Sequence, residues 1–246
     1  MEKLWQVYAA SAIGKGHIDG NLPCQDSFGH AVGDGRLVAV VCDGAGSAAQ
    51  SHLGARVCAK VISHFLADYA GASVVACDRS VIEQAVEAAR AEIAENARDL
   101  VIPTRELAST LVGVVLREEG GCLFHIGDGI AAVELLGGET VLSLPENGEY
   151  SNETYFVTCD DWQTHLRVMS FSGEINFVSL MSDGAMSFAI NRGRTGLSGP
   201  FMDPVKFYLS TVNEADGCEA LQATLADERT WPITSDDKTI LLIGPS

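Results

Sequence analysis

The stretch LVAVVCDGAGS at residues 37–47 decides the fold that we predict for this chain. Its first six residues carry no charge, which is typical of a β-strand covered on both faces. The run ends at Asp43, and the glycines after it allow other groups to approach the backbone closely. The sequence therefore predicts a buried strand that places a carboxylate at the edge of a sheet, and we interpret Asp43 as the centre of a metal site.

Four further aspartates are expected near the same edge. Asp128 and Asp183 each follow an apolar run that we predict to be a strand, and each is followed by glycine. Asp26 and Asp236 come just before predicted strands instead. In an antiparallel sheet the start of one strand lies beside the end of its neighbour, so all these carboxylates are expected to converge.

The convergence of acids indicates a cation site more strongly than any single aspartate does. Asp-Gly is also the commonest turn dipeptide, so each pair taken singly has a simpler interpretation as a turn or a helix cap. A cluster of carboxylates at neutral pH repels itself strongly unless cations neutralise it. Mg²⁺ and Mn²⁺ prefer oxygen ligands, and little His or Cys is placed to compete, so the pattern favours these ions over zinc.

Hydrophobic periodicity predicts an α+β protein with antiparallel connectivity. Strands are predicted at 6–12, 27–32, 37–42, 110–116, 122–126, 131–136, 140–144, 154–159, 165–171, 176–182 and 239–243, helices at 47–69, 82–100, 204–211 and 218–228, and loops at 14–23 and 147–153. No repeat, low-complexity tract or linker divides the chain. We therefore expect residues 1–246 to form a single domain.

Charge and cysteine usage limit the partners and the compartment. The 33 acidic and 16 basic residues give a formal charge of −17, which repels nucleic acid and anionic membranes, so neither is an expected partner. The seven cysteines form no C-x-x-C pair, which favours reduced thiols. No signal peptide or membrane-spanning segment is predicted, and we expect a cytoplasmic protein.

Several short motifs, taken together and in order, resemble a known family. They are Gln25-Asp26, Asp43-Gly44-Ala45-Gly46, Ser109-Thr110-Leu111, Gly127-Asp128-Gly129, Ser182-Asp183-Gly184 and Asp236-Asp237-Lys238-Thr239. Each is short and common, but their order and strand context resemble the PP2C (PPM) family of metal-dependent serine/threonine protein phosphatases, of bacterial type. The resemblance runs from about residue 11 to the C-terminus, and residues 185–234 contribute little to it.

The resemblance implies a fold, a metal centre and a reaction. The fold is a four-layer α-β-β-α sandwich of two antiparallel sheets, with two Mn²⁺ or Mg²⁺ ions at one end and a possible third. By similarity, Asp43 bridges both ions, Gly44 binds the second through its carbonyl, Asp183 and Asp236 hold the first, Asp26 is a ligand or anchors bound water, and Asp128 with Asp183 holds the third. A metal-bridging water or hydroxide then attacks the phosphorus of phosphoserine or phosphothreonine in protein substrates. A cognate kinase is the implied counterpart.

The sequence departs from the family pattern at three places. Many members carry a His, a candidate general acid, where this chain has Ala45. Many also carry an Arg shortly before the first acid, where this chain offers Lys15 and His17. We take both as candidates for binding substrate phosphate and His17 as a candidate proton donor, although a Lys and a His in a glycine-rich loop are more often only solvated. Asp237 replaces a frequent Asn and is expected beside the metal ligands.

Two other functions compete with catalysis. Ala45 and the missing Arg fit a catalytically weak, PP2C-like module that binds phosphoproteins or regulates a partner. A nucleotide-binding protein that uses residues 44–47 as a phosphate cradle is disfavoured. That loop lacks both the Lys of a Walker sequence and the G-x-G-x-x-G spacing.

Overall fold

The computed structural model describes residues 5–69, 78–145 and 154–245. Their strands are β1 (Trp5–Ala12), β2 (Ser27–Gly33), β3 (Arg36–Cys42), β4 (Leu111–Arg117), β5 (Gly120–Ile126), β6 (Ile130–Leu135), β7 (Thr140–Ser143), β8 (Arg167–Ser172), β9 (Ile175–Met181) and β10 (Lys238–Pro245). Their α-helices are α1 (Lys15–Gly20), α2 (Ser51–Asp68), α3 (Arg79–Leu100), α4 (Trp162–His165), α5 (Asp183–Ala189), α6 (Gly199–Leu209) and α7 (Glu214–Leu225). Short 3₁₀ turns occupy Thr104–Leu107 and Glu228–Thr230.

The strands form two five-stranded antiparallel sheets. One has the order β1-β10-β9-β6-β7, and the other has the order β2-β3-β4-β5-β8. One apolar core joins the second sheet to α2 and α3, a second lies between the sheets, and a third joins the first sheet to α5, α6 and α7. The α+β, four-layer α-β-β-α architecture implied by the sequence is thus confirmed.

Residues 37–42 of strand β3 show why this part of the sequence carries no charge. Leu37, Ala39 and Val41 belong to the core between the sheets, because successive side chains of a strand point to opposite faces. Val38, Val40 and Cys42 belong to the core beneath α2 and α3. Every residue of the strand is therefore buried, as predicted for a strand covered on both faces.

The structure corrects three local predictions. The expected loop at 14–23 contains helix α1, and the residue after this helix, Asn21, adopts left-handed backbone with φ of 51°. The expected strand at 154–159 is absent, because this segment turns over the sheet end and the Val157 amide donates to the Ser109 carbonyl at 2.9 Å. Helix α5, which begins at Asp183, was not predicted at all. The loop expected at 147–153 lies outside the described residues.

The cysteine prediction is only partly correct. Cys24, Cys42, Cys58, Cys159 and Cys218 are free thiols, as expected. Cys122 is instead disulfide-bonded, so the prediction of reduced thiols is wrong there. Sequence spacing could not show this, because pairing depends on which cysteines the fold brings together. Cys77 lies outside the described residues.

In the described ranges, no helix is long and apolar enough to cross a membrane.

Candidate metal centre

A cavity of about 140 Å³ opens at one end of the two sheets, and acidic side chains dominate its lining. The residues that line it are Gln25, Asp43, Gly44, Ala45, Gly46, Thr110, Asp128, Thr154, Phe156, Asp183 and Asp236. No Lys, Arg or His is among these described residues. A phosphate or other anion could therefore not bind here by side-chain charge alone, whereas cations could.

The fold explains why four acids reach this cavity from distant parts of the sequence. Asp43 directly follows β3 of the second sheet. Asp128, Asp183 and Asp236 lie next to β6, β9 and β10, which are neighbours in the first sheet. Asp43, Asp128 and Asp183 each offer one carboxylate oxygen, and these oxygens all lie within 4.8 Å of one another. The predicted convergence of the acids is thus observed for these three, and Asp236 lines the same cavity.

Asp26, the fifth predicted acid, is not among the residues that line the cavity. Its side chain is buried, and its Oδ2 accepts a hydrogen bond from Ser182 Oγ at 2.7 Å. The same hydroxyl accepts from the Thr239 amide at 3.0 Å, which ties Asp26 to the start of β10. The other oxygen, Oδ1, is buried without a hydrogen-bond partner among the described residues, and so is Asp183 Oδ1. Buried carboxylate oxygens without donors are uncommon, which marks both as candidate ligand atoms.

Burial and mutual repulsion raise the pKa values of three of these acids. Burial, partly offset by the hydrogen bond from Ser182, raises the pKa of Asp26 to about 7. Burial and the charges of Asp236 and Asp128 raise the pKa of Asp183 to about 6. Burial, followed by the charges of Asp26 and Asp183, raises the pKa of Asp43 well above its ordinary value. In each case burial and neighbouring negative charges disfavour the ionised carboxylate relative to one in water.

Two glycines allow the Asp236–Asp237 segment to pass close to the other acid-bearing loops. A Cβ on Gly184 would lie 1.9 Å from the Asp237 carbonyl oxygen. A Cβ on Gly14 would lie 2.3 Å from the Asp236 carbonyl carbon. The position after Asp183 therefore requires glycine because another backbone segment packs against it. The sequence alone also allowed the interpretation that this Asp-Gly pair forms a simple turn.

Hydroxyl-bearing residues support the acids, and the sequence motifs contained two of them, Thr110 and Ser182, without a stated role. The Asp43 amide donates to Thr110 Oγ1 at 3.0 Å, and the Thr110 amide donates to the Asp43 carbonyl at 2.8 Å. Thr154 Oγ1 donates to Asp128 Oδ2 at 2.8 Å. The Gly44 amide donates to the Gln25 carbonyl at 3.1 Å. In the sequence, the motifs at 109–111 and 182–184 contain Thr110 and Ser182, and they were the available signal for these hydrogen bonds.

The two basic candidates lie on α1, and neither lines the cavity. Lys15 Nζ pairs with the Asp19 carboxylate and lies 5.6 Å from the centre of the Trp231 ring. His17 Nδ1 lies 2.8 Å from Asp237 Oδ2. Ala45 is buried in the cavity wall.

Comparisons with known proteins agree with this geometry. A sequence model of the family described as Protein phosphatase 2C matches residues 13–227. Serine/threonine-protein phosphatase 3 of Escherichia coli (strain K12) is 27% identical in an alignment of 246 positions that covers 97% of this chain and 97% of that one.

Solved structures of bacterial proteins share the fold. The S. agalactiae serine/threonine phosphatase aligns with a TM-score of 0.67 at 15% identity, over 98% of this chain and 100% of that one. PppA, a key regulatory component of T6SS in Pseudomonas aeruginosa, aligns with a TM-score of 0.66 at 14% identity, over 99% of both chains.

Proposed function

The chain belongs to the protein phosphatase 2C family of serine/threonine phosphatases, and from that membership we propose that it hydrolyses phosphoserine and phosphothreonine in proteins with Mn²⁺ or Mg²⁺. One observation carries the proposal. Three carboxylate oxygens from both sheets meet within 4.8 Å, in a cavity whose described lining holds no cationic side chain. Protein phosphate esters are dianionic, so such a cavity can accept them only after cations have bound.

The residues present fit divalent ions. The donors are carboxylate, carbonyl and hydroxyl oxygens, which Mg²⁺ and Mn²⁺ prefer. The unpartnered oxygens Asp26 Oδ1 and Asp183 Oδ1 supply lone pairs that no described protein group uses. The raised pKa of Asp43 reflects mutual repulsion and burial, both of which a bound cation relieves.

We assign the acids to two ions and a third, weaker one. Asp43 would help to hold the first two ions. Asp183 and Asp236 would complete the first site, and the Gly44 carbonyl would bind the second ion. Asp26 would be a ligand or would anchor bound water, and Asp128 with Asp183 would hold the third ion. When bound, the ions would act as Lewis acids on the phosphoryl oxygens and make a shared water acidic enough to attack phosphorus. The protein holds the acids in place through Ser182, Thr110 and Thr154, whose hydrogen bonds to the acids or their backbone limit movement.

The proposed substrate implies a protein kinase that supplies it. We place the reaction in the cytoplasm, where the five free cysteines fit a reducing compartment, although the Cys122 disulfide does not.

The test is phosphate release from a phosphothreonine peptide with and without Mn²⁺. Wild type is expected to need the ion, and Asp43→Ala is expected to lose at least about 10³-fold in kcat/KM, because the proposed bridging ligand is gone. Asp227→Asn is the matched control, since Asp227 is paired with Arg229. Activity that survives Asp43→Ala would overturn the proposal. Tight peptide binding without hydrolysis at any Mn²⁺ concentration would favour the non-catalytic module instead.

A further inference from the structure

The acid cavity has one apolar wall. Ala45 and Phe156 line the cavity together with the carboxylates. Both belong to a small apolar cluster with Ala48 and Ala108, which is separate from the three cores of the sandwich. The three alanines are buried, whereas the Phe156 ring is only partly buried and packs against them. The protein therefore supports one side of the ring, and part of the remaining ring surface lines the cavity.

Main-chain hydrogen bonds hold this apolar wall in place. The Ala45 amide donates to the Ala108 carbonyl at 3.0 Å. In the segment that carries the ring, the Val157 amide donates to the Ser109 carbonyl at 2.9 Å, and the Val157 carbonyl accepts from Arg90 Nη1. A surface that is ordered before a ligand arrives costs little conformational entropy on binding. The wall is thus preformed beside the carboxylates.

The cavity is small compared with a phosphopeptide. Its volume is about 140 Å³, whereas pockets that enclose drug-sized ligands measure roughly 300–1,000 Å³. Consecutive Cα atoms of a peptide are about 3.8 Å apart. If the proposed phosphatase function is correct, on which this inference rests, the phosphorylated side chain fills the cavity, and the residues next to it in the peptide lie at the cavity mouth.

The apolar wall distinguishes between the side chains that can lie there. An apolar side chain that covers the open part of Phe156 removes apolar surface from water on both partners, which is favourable in proportion to the area covered. A polar side chain of similar size loses water at the same place, and the ring and the alanine methyl groups offer it no hydrogen bond. The wall therefore favours apolar neighbours of the phosphorylated residue.

We propose that Phe156, supported by Ala45, is a specificity-determining residue that selects phosphopeptides with an apolar side chain next to the phosphorylated residue. Phe156 acts through binding and takes no part in P–O cleavage. Ala45, where the sequence departs from the family pattern, acquires a role in this arrangement, because a polar side chain at that position would interrupt the apolar wall.

The kinetic test uses the Mn²⁺-loaded protein and phosphothreonine peptides with either Leu or Asn on both sides of the phosphorylated residue. Leu and Asn are similar in size and differ in polarity. Wild type is expected to show a kcat/KM about 10-fold higher for the Leu peptide. Phe156→Ala is expected to reduce this ratio to less than about threefold, mainly through a higher KM for the Leu peptide. Equal kcat/KM values in wild type, or an unchanged ratio in Phe156→Ala, would overturn the proposal.

Three controls separate specificity from a structural effect. Phe207→Ala is the matched variant, since Phe207 is 74% exposed on α6 and is not among the residues that line the cavity, and it is expected to keep the wild-type ratio. Phe156→Leu keeps an apolar side chain and is expected to keep most of the preference. Free O-phosphoserine has no flanking residue, so Phe156→Ala is expected to hydrolyse it within about twofold of wild type. A loss on O-phosphoserine as large as that on the Leu peptide would overturn the proposal.

Binding without turnover tests the wall independently of the reaction. Calorimetry with Mn²⁺ and non-hydrolysable phosphonate versions of the two peptides is expected to give wild type an affinity about 10-fold higher for the Leu peptide. Phe156→Ala is expected to lose this difference, and so is Phe156→Gln, which serves if Phe156→Ala does not fold. Equal affinities in wild type would overturn the role of Phe156. A wild type that hydrolyses no substrate at any Mn²⁺ concentration would reject the phosphatase function instead, and the affinity ratio would still decide the role of Phe156.

Discussion

Asp236 and Asp237 are adjacent in the sequence, yet their carboxylates lie in opposite environments. Asp236 lines the acid cavity together with Asp43, Asp128 and Asp183, where no cationic side chain of the described chain is present. Asp237 lies one residue away with three protein donors around it. The cavity acids and Asp237 thus lie at the same end of the two sheets, but Asp237 has three donors within hydrogen-bonding distance, whereas the cavity acids lie close to one another.

This difference separates the acids that we propose as metal ligands from the acid that holds the structure together. A buried carboxylate that accepts several hydrogen bonds stabilises the fold. Carboxylates that crowd one another repel and destabilise the fold, and a bound cation would relieve this repulsion. Substitutions in the two groups are therefore expected to change the stability of the metal-free protein in opposite directions.

The largest expected effect is the destabilisation caused by Asp237→Ala. Removing the carboxylate leaves the buried Gly14 and Gln25 amides and the His17 ring without their acceptor. At about 1–3 kcal/mol for each orphaned donor, with some relief from water, we expect a loss of about 4 kcal/mol. Urea unfolding of the metal-free protein, with a chelator present, measures this loss in the free energy of unfolding.

The matched control is Asp237→Asn, which keeps an acceptor for two of the three donors. Its expected cost is about 1–2 kcal/mol, the cost of one unsatisfied amide at Gly14. Equal stability of Asp237→Ala and wild type would show that water replaces the carboxylate and that the contrast between the two groups of acids is wrong.

The sequence predicted the acid cavity well because the information is local. An uncharged run that ends in Asp43 is typical of a strand buried on both faces, and antiparallel pairing then places strand ends together. The sequence could not show which of Asp236 and Asp237 faces the cavity. The direction of a loop side chain depends on tertiary contacts, here the amides of Gly14 and Gln25.

Tertiary contacts also explain why the sequence analysis did not predict helix α1 and wrongly predicted a strand at 154–159. Helix α1 has no side-chain cap and begins at a glycine-flanked Lys15, so tertiary hydrogen bonds and not local propensity hold it. The run at 154–159 has the residue types of a strand. It packs instead over the cavity through Phe156, and the Cys159 carbonyl accepts from Arg90 Nη1 at 3.0 Å. Such long-range partners cannot be inferred from the residues of the segment itself.

The second expected effect is the stabilisation of wild type by Mn²⁺. An ion that binds the folded acids and not the unfolded chain adds about 2.7 kcal/mol when its free concentration is 100 times Kd. Thermal or urea unfolding with and without Mn²⁺ measures this gain. Asp43→Asn is expected to lose most of it, whereas Asp227→Asn is expected to retain it. An Mn²⁺ response of equal size in Asp43→Asn would show that the ion binds elsewhere.

The smallest expected effect is a gain in stability of the metal-free protein when a charge is removed from the acid cavity. It tests the contrast most directly, because its sign is opposite to that of the loss expected for Asp237→Ala. Folding raises the pKa of Asp26 to about 7 and that of Asp183 to about 6, from the ordinary 3.8. Between about pH 4 and 7 the folded protein thus binds more protons than the unfolded chain, so its free energy of unfolding in chelator falls as the pH rises.

Asp43→Asn removes one of the mutually repelling charges from this cluster. It is expected to stabilise the metal-free protein at pH 8 by about 1 kcal/mol and to flatten the fall in stability with pH. Urea unfolding in chelator at pH 5.5 and pH 8 checks both expectations. Destabilisation at pH 8 would mean that Asp43, like Asp237, is already satisfied by protein donors. The cavity would then need no cation, and the metal assignment would fail together with the contrast between the two aspartate environments.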